Sequence, residues 1–267
     1  MFLGIVKFCF GLYLKPNKGI NMDIRNLLKE TSVTYNQKQA IVFRDNSVSF
    51  SDLYSQALKL SNALRKQGIK KGDKIAFYLP NCPEYCLSYL ATFFLGAVGV
   101  PLDYMLKNDE LKSCLDHSET KCIIALPKSE VDFFELKNSV SSLESVIFCG
   151  DNVGAQSFDS LQFNELLANA SSDLPTIEIA DNDPALIMYT SGTTGRPKGI
   201  LLTYKHLEGS PKAMEHFVDL TDQDIKCAAI PLSHIGGFIY LQNCIQFGIT
   251  LILMDRFNPF EFLRLVA

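Results

Sequence analysis

No block of basic residues occurs in the 267-residue chain: Lys and Arg total 25 against 29 acidic residues, a net charge of −4 at pH 7. Without a basic stripe there is no electrostatic footprint for a polyanion, so nucleic acid is not an expected partner. The eight cysteines include no C-x-x-C pair and stand singly in apolar or helical stretches. They read as reduced thiols of a cytoplasmic protein rather than a disulfide framework. The four histidines, His117, His206, His216 and His234, lack the spacing of a zinc site, and no structural metal is expected.

Long hydrophobic runs are also missing. The apolar opening MFLGIVKFCFGLYLK is interrupted by Lys7 and falls short of the roughly 20 residues of a membrane-spanning helix. A signal peptide would want a small-x-small cleavage site where Lys15-Pro16-Asn17-Lys18 stands. Residues 1–22 are therefore read as an N-terminal extension with two open alternatives. Either the chain functionally starts at Met22, or the apolar patch associates weakly with a membrane surface or packs on the core.

What is present is the balance of a globular protein, 47% apolar and 20% charged. At about 150 residues per domain, one large or two modest domains fit. From residue 40 onward short β-branched runs alternate with amphipathic stretches, which predicts an α/β fold of sheets covered by helices. Ile41–Phe43 and Val48–Phe50 flank a turn at Asp45-Asn46, and Leu53, Ala57, Leu60 and Leu64 recur at helical spacing up to a capping Gly68. Strands are expected at Ile75–Leu79, Cys122–Leu126, Ser145–Cys149, Ala185–Tyr189, Ile200–Thr203, Cys227–Ile230 and Thr250–Met254, and Ala97–Pro101 leads the chain back toward the sheet. Helices are expected at Pro83–Leu95, from Asn108 as cap to His117, and at Val131–Val140, Phe163–Ala168 and Phe238–Phe247. Residues 150–184, rich in Asp, Asn and Ser, read as a surface excursion. A last helix opens at Asn258-Pro259 and reaches Ala267 in mid-pattern, so the expectation is a fragment or truncated product of a longer gene.

The densest chemical signal is Tyr189-Thr190-Ser191-Gly192-Thr193-Thr194-Gly195-Arg196-Pro197-Lys198-Gly199, lying between two apolar strands. Glycines let backbone N–H groups converge on an anion, the hydroxyls add neutral donors, and Lys198 adds a point charge for outer phosphates. Thr190 can offer its oxygen to a magnesium ion (Mg2+) carried by a nucleotide. This is not a Walker A loop, because Lys198 is followed by Gly199 and the chain returns into a strand instead of opening a helix.

That segment resembles the phosphate-loop signature of the AMP-forming adenylating enzymes, the superfamily of acyl-CoA synthetases, luciferases and peptide-synthetase adenylation domains. Pro231-Leu232-Ser233-His234-Ile235-Gly236-Gly237 is similar to the family's next motif, P-L-x-H-x-x-G. Upstream, Phe50-Ser51-Asp52-Leu53, Gly72-Asp73-Lys74-Ile75, Leu79-Pro80-Asn81 and Gly96–Leu102 keep the family's order. The resemblance runs from residue 23 to the end, and implies that 23–267 are part of the large N-terminal domain of the adenylate-forming fold. It also implies a two-step reaction: a carboxylic acid attacks ATP to give an acyl-adenylate and pyrophosphate, and coenzyme A then takes the acyl group. By the same resemblance Thr190, Ser191, Gly192, Thr193, Thr194, Gly195 and Lys198 surround the β- and γ-phosphates. Thr190 additionally stands near magnesium, and His234 beside the acyl carboxylate and α-phosphate. His234 and Lys198 are thus the implied catalytic pair.

The segment Pro101–Leu111 looks most like fatty-acyl ligases, which makes a fatty acid the expected substrate. Later family motifs, for the magnesium-binding glutamate, the ribose aspartate, the hinge and the lysine of a small C-terminal domain, have no counterpart before Ala267. The 267-residue chain is accordingly expected to be inactive alone. The alternative is a non-catalytic paralogue acting as a binding or scaffold protein.

Overall fold

The computed structural model describes residues 23–150, 159–190, 198–207 and 220–266. The expectations for residues 1–22, for Ser191 to Pro197 and for His216 concern residues outside that description. The described chain opens with α1 (Ile24–Thr34), β1 (Gln39–Phe43), β2 (Asn46–Ser49) and α2 (Phe50–Lys66). A βαβ succession follows: β3 (Lys74–Tyr78), α3 (Pro83–Phe94), β4 (Val98–Leu102), α4 (Asn108–Ser118), β5 (Thr120–Ala125), α5 (Phe133–Ser139) and β6 (Ser145–Phe148). Next come β7 (Leu161–Gln162), α6 (Phe163–Ala168), β8 (Pro184–Thr190), β9 (Lys198–Thr203) and α7 (Tyr204–Leu207). The last elements are β10 (Ile225–Ala228), α8 (Ile235–Phe247), β11 (Thr250–Leu253) and α9 (Pro259–Val266).

Two sheets result. Seven strands run in the order β7-β6-β5-β3-β4-β8-β9 and four in the order β10-β11-β1-β2. In the larger sheet all neighbours are parallel except β8 and β9, and in the smaller one all except β1 and β2. The chain steps from β3 to β4 on one side and then crosses back to β5 on the other, so the strand order reverses beside β3. Such a reversal opens a crevice at the carboxyl ends of the strands, because the two crossover connections diverge there.

Side-chain alternation explains the layering. Ile75 and Phe77 pack into one apolar cluster with α1, α2, α3 and α8, whereas Ala76 and Tyr78 pack into another with α4 and α5. Both faces are dry, as parallel sheets require. The first cluster also takes Ile41 and Leu251 from the smaller sheet, so α3 lies between two sheets. Every residue from Tyr85 through Phe94 is buried. The hydroxyls inside that run are satisfied within the helix, Ser88 Oγ donating to the Glu84 carbonyl at 2.7 Å and Thr92 Oγ1 to the Ser88 carbonyl at 2.7 Å.

Two local expectations are corrected. Phe50 is not the end of a strand: Ser49 Oγ accepts from the Asp52 amide at 3.1 Å and starts a helix that buries Phe50 completely. Asn108 is not the cap of α4 either. The cap position is Lys107, whose amide donates to Glu110 Oε2 at 2.9 Å, and Asn108 Oδ1 instead accepts from the Asp132 amide at 3.1 Å, joining the starts of α4 and α5. The seven described cysteines stand as thiols, six of them buried. Among the described residues no helix is long and apolar enough to cross a membrane.

The segment between α6 and β8 runs over the surface as expected, yet it is anchored. Asn62, only 1% exposed, donates from Nδ2 to the carbonyls of Ser171 at 2.9 Å and Asp173 at 2.7 Å. Lys71 donates to the Glu178 carbonyl at 2.8 Å and pairs with Asp183 at 2.7 Å. Asn62→Ala is expected to cost about 2 kcal/mol by stranding those carbonyls, lowering Tm by roughly 4–8 °C. It should also speed proteolytic cleavage near Ser171–Asp173; unchanged melting and cleavage would show that the segment is held by other means.

Candidate functional site

Both motif segments leave their sheets at the carboxyl edge. Because β8 lies parallel to β4, Thr190 ends β8 on the side where Asp103 follows β4 and Pro80 follows β3. The antiparallel return brings Lys198 directly opposite Thr190, and both residues are exposed. They frame the mouth of the loop whose Ser191, Gly192, Thr193, Thr194 and Gly195 lie outside the described residues.

The base of that loop is fastened to α4. Tyr189 OH donates to the Cys114 carbonyl at 3.0 Å and stands 2.8 Å from His117 Nδ1. The single phenolic proton is committed to the carbonyl, so His117 must bring the hydrogen for the second bond, which assigns its proton to Nδ1. A Cβ on Gly199 would stand 3.0 Å from Ile187 Cγ2 and 3.2 Å from His117 Cε1, so a side chain there would press the tether apart. Neither Tyr189 nor His117 stood among the expected site residues. The available signal was an aromatic immediately before the loop, but its partners lie 72 and 75 residues earlier.

The second motif forms a turn and a helix start. The His234 amide donates to the Pro231 carbonyl at 3.0 Å, and the His234 carbonyl accepts from the Phe238 amide at 3.1 Å. His234 is the exposed N-cap residue of α8, and its imidazole makes no capping bond. Gly237 explains the double glycine: a Cβ there would collide with the Pro231 carbonyl, so only glycine lets the helix close against the turn.

Beside this turn a cleft of about 670 Å³ opens across the carboxyl ends of both sheets. Leu79 to Cys82, Asp103 to Met105, Leu126 and Cys149 line it from the larger sheet, and Ala229, Pro231, Ser233 and Phe257 from the smaller. The walls are mostly apolar, with Glu84 and Asp103 on one side and the Arg44–Asp255 pair (3.1 Å) on the other. Pro231 and Ser233 line the cleft; His234, the next residue along the chain, is exposed and is not among the lining residues. A mixed pocket of this size suits an organic molecule with a few polar anchors. Among the described residues no three metal-ligating side chains gather. A magnesium ion could here be held through a neutral oxygen such as that of Thr190 if it arrives on a nucleotide's phosphates.

Residues 28–267 match the family model described as AMP-binding enzyme. The chain belongs to the AMP-binding enzyme family. It is 31% identical over 244 residues to a 2-succinylbenzoate–CoA ligase of Bacillus licheniformis, covering 91% of this chain and 47% of the relative. A long-chain-fatty-acid–CoA ligase of Bacillus subtilis is 27% identical over 271 residues, 92% of this chain and 48% of the relative. In structure the chain is similar to the inhibitor-bound N-terminal domain of FACL13 from Mycobacterium tuberculosis, with TM-score 0.79, 26% identity, and coverage of 91% of this chain and 60% of that one. The mixed α/β architecture is thus that of the N-terminal domain of adenylate-forming enzymes. The chain spans about half the length of the curated relatives it matches.

The tether at the base of this loop is testable through pH. Burial, with Cys114 nearby, pushes the Tyr189 phenol up to about 12. An unfolded chain releases that proton from about pH 10, so above pH 10 it binds fewer protons than the folded one, and stability falls as pH rises toward 12. Tyr189→Phe should be about 1 kcal/mol less stable than wild type between pH 7 and 9 in urea denaturation. The gap should narrow between pH 10 and 12; a gap constant across that window would refute the buried, hydrogen-bonded phenol.

Proposed function

We propose that this chain carries the phosphate-gripping and acid-orienting part of an ATP-dependent acyl-CoA ligase, acting on a carboxylic acid and, by the texture of Pro101–Leu111, on a fatty acid. In this reading residues 23–267 form the larger part of an N-terminal adenylation domain working in the cytoplasm. A carboxylate oxygen attacks the α-phosphorus of ATP, the bond to the bridging oxygen breaks, and pyrophosphate leaves with that electron pair. The thiolate of coenzyme A then attacks the acyl carbon and AMP departs.

Two needs follow from that chemistry. Charge grows on the leaving pyrophosphate, and the carboxylate must stay in line with phosphorus. For the first, Lys198 supplies a positive charge, and Thr190, Ser191, Gly192, Thr193, Thr194 and Gly195 supply hydroxyl and backbone donors. Magnesium carried by the nucleotide would neutralise phosphate charge, with the Thr190 hydroxyl as its protein oxygen. For the second, His234, next in the chain to the cleft-lining Ser233, orients the acid.

The observation that carries this reading is the pairing of Thr190 with Lys198 across the mouth of the loop, in a chain whose residues 28–267 match the family. The named relatives act on acids as different as 2-succinylbenzoate and long-chain fatty acids, so the family resemblance by itself does not choose the acid.

Calorimetric titration of ATP and of pyrophosphate into the chain tests the assignment. Both should bind, and Lys198→Ala should weaken both by tenfold or more, the equivalent of losing about 1.4 kcal/mol. The variant should melt with wild type, because an exposed residue at a strand end contributes about 0.5 kcal/mol or less to folding. Equal affinities in a folded variant would remove Lys198 from the phosphate site. In the same preparation, mass spectrometry is expected to detect no acyl-CoA above a protein-free blank.

A further inference from the structure

Leu79-Pro80-Asn81 follows β3, and Asn81 is 5% exposed. Its carboxamide reaches a backbone segment far away in sequence. Nδ2 donates to the Ile230 carbonyl at 3.1 Å and, at the long limit, to the Ala228 carbonyl at 3.5 Å. Oδ1 accepts from the Leu232 amide at 2.7 Å. The fully buried Tyr89 of α3 donates its hydroxyl to the Leu232 carbonyl at 2.8 Å. Both backbone polar groups of the buried Leu232 are therefore satisfied by side chains from the β3–α3 unit.

Leu232 lies between Pro231, whose carbonyl takes the His234 amide, and Ser233, which lines the cleft. The two sheets share no strand, so the β10 end could pivot about the apolar layer unless something directional fixes it. The hydrophobic gain from burial is non-directional, whereas hydrogen bonds fix distance and angle. A carboxamide offers a donor and an acceptor on one planar group, which matches alternating carbonyl and amide groups along a backbone.

We propose that Asn81 is a positioning residue: with the Tyr89 hydroxyl, its carboxamide fixes the Pro231–His234 turn and thereby sets where His234 stands relative to its cleft-lining neighbour Ser233. What His234 does there rests on the proposed ligase function, but the clamp itself does not.

The test uses the whole 267-residue chain, isotopically labelled for NMR, with amide hydrogen exchange and the imidazole resonances of His234 as readouts. In Asn81→Ala the Leu232 amide should exchange at least tenfold faster, with Ile75 to Phe77 unchanged within twofold, and the His234 resonances should shift. Asn81→Asp keeps the acceptor for the Leu232 amide but turns a second oxygen toward the Ile230 carbonyl, so it should not restore wild-type exchange at Leu232 and should shift the His234 resonances as well. Tyr89→Phe removes only the bond to the Leu232 carbonyl and should still move the His234 resonances. Leu232 exchange unchanged in a folded Asn81→Ala would overturn the proposal; if that variant does not fold, unmoved His234 resonances in Tyr89→Phe would do so. Binding of a non-hydrolysable acyl-sulfamoyl adenosine to wild type reports separately on the functional reading, since its absence would defeat that reading and leave the exchange result standing.

Discussion

The double-sided burial of α3 is the constraint on which the remaining architecture depends. A helix dry from Tyr85 to Phe94 has no face left for water, so an apolar surface must cover each side. The larger sheet covers one side through Phe77, whose ring meets Tyr89 edge-on at 5.1 Å between centroids. On another side α8 contributes Phe238, 4.9 Å from Tyr89. Tyr89 is the pivotal residue, because its ring joins these layers while its hydroxyl is spent on the turn of the second motif. A buried tyrosine is stable only with a partner for that hydroxyl, so the aromatic packing and the placement of the turn are one event.

Function follows from direction. β3 and β4 run parallel and deliver Pro80, Asn81 and Asp103 to one edge. β8 delivers Thr190 to that same edge, and the clamp of Asn81 on residues 230 to 232 brings β10 there as well. The phosphate-type loop, the histidine turn and the cleft thus share an edge without sharing a sheet. Glycine appears where backbone must approach backbone or a ring closely, at Gly237 against Pro231 and at Gly199 against His117.

Much of this was legible in the sequence. Apolar runs and helical spacing located β3, α3, β5 and α6 to within a residue or two, because each rests on local burial and local stops such as Pro80. The loop and the P-L-S-H-I-G-G segment were legible as chemistry, since their residue types are unusual between apolar strands. What escaped were partners distant in sequence. The Asn81 bond to Leu232 spans 151 residues and the Tyr189 bond to Cys114 spans 75, and no periodicity encodes either. Local ambiguity explains the two corrections: Ser49-Phe50 suits a strand end and a capped helix start equally well, and the Asn108 carboxamide was drawn away from capping by the Asp132 amide. The split into two sheets was likewise invisible, because β1 pairs with β11 some 210 residues later; Ile41, for example, stands opposite Leu251.

The central claim is that the loop between Thr190 and Lys198 and the turn at Pro231–Gly236 address one ligand at the shared edge. Hydrogen–deuterium exchange mass spectrometry of the chain, with and without saturating acyl-sulfamoyl adenosine, tests it most directly. Slower exchange is expected in peptides covering both segments together, with the β5 and β6 strands unchanged. Slower exchange in only one of the two segments, or in neither while the ligand is bound, would contradict a common site.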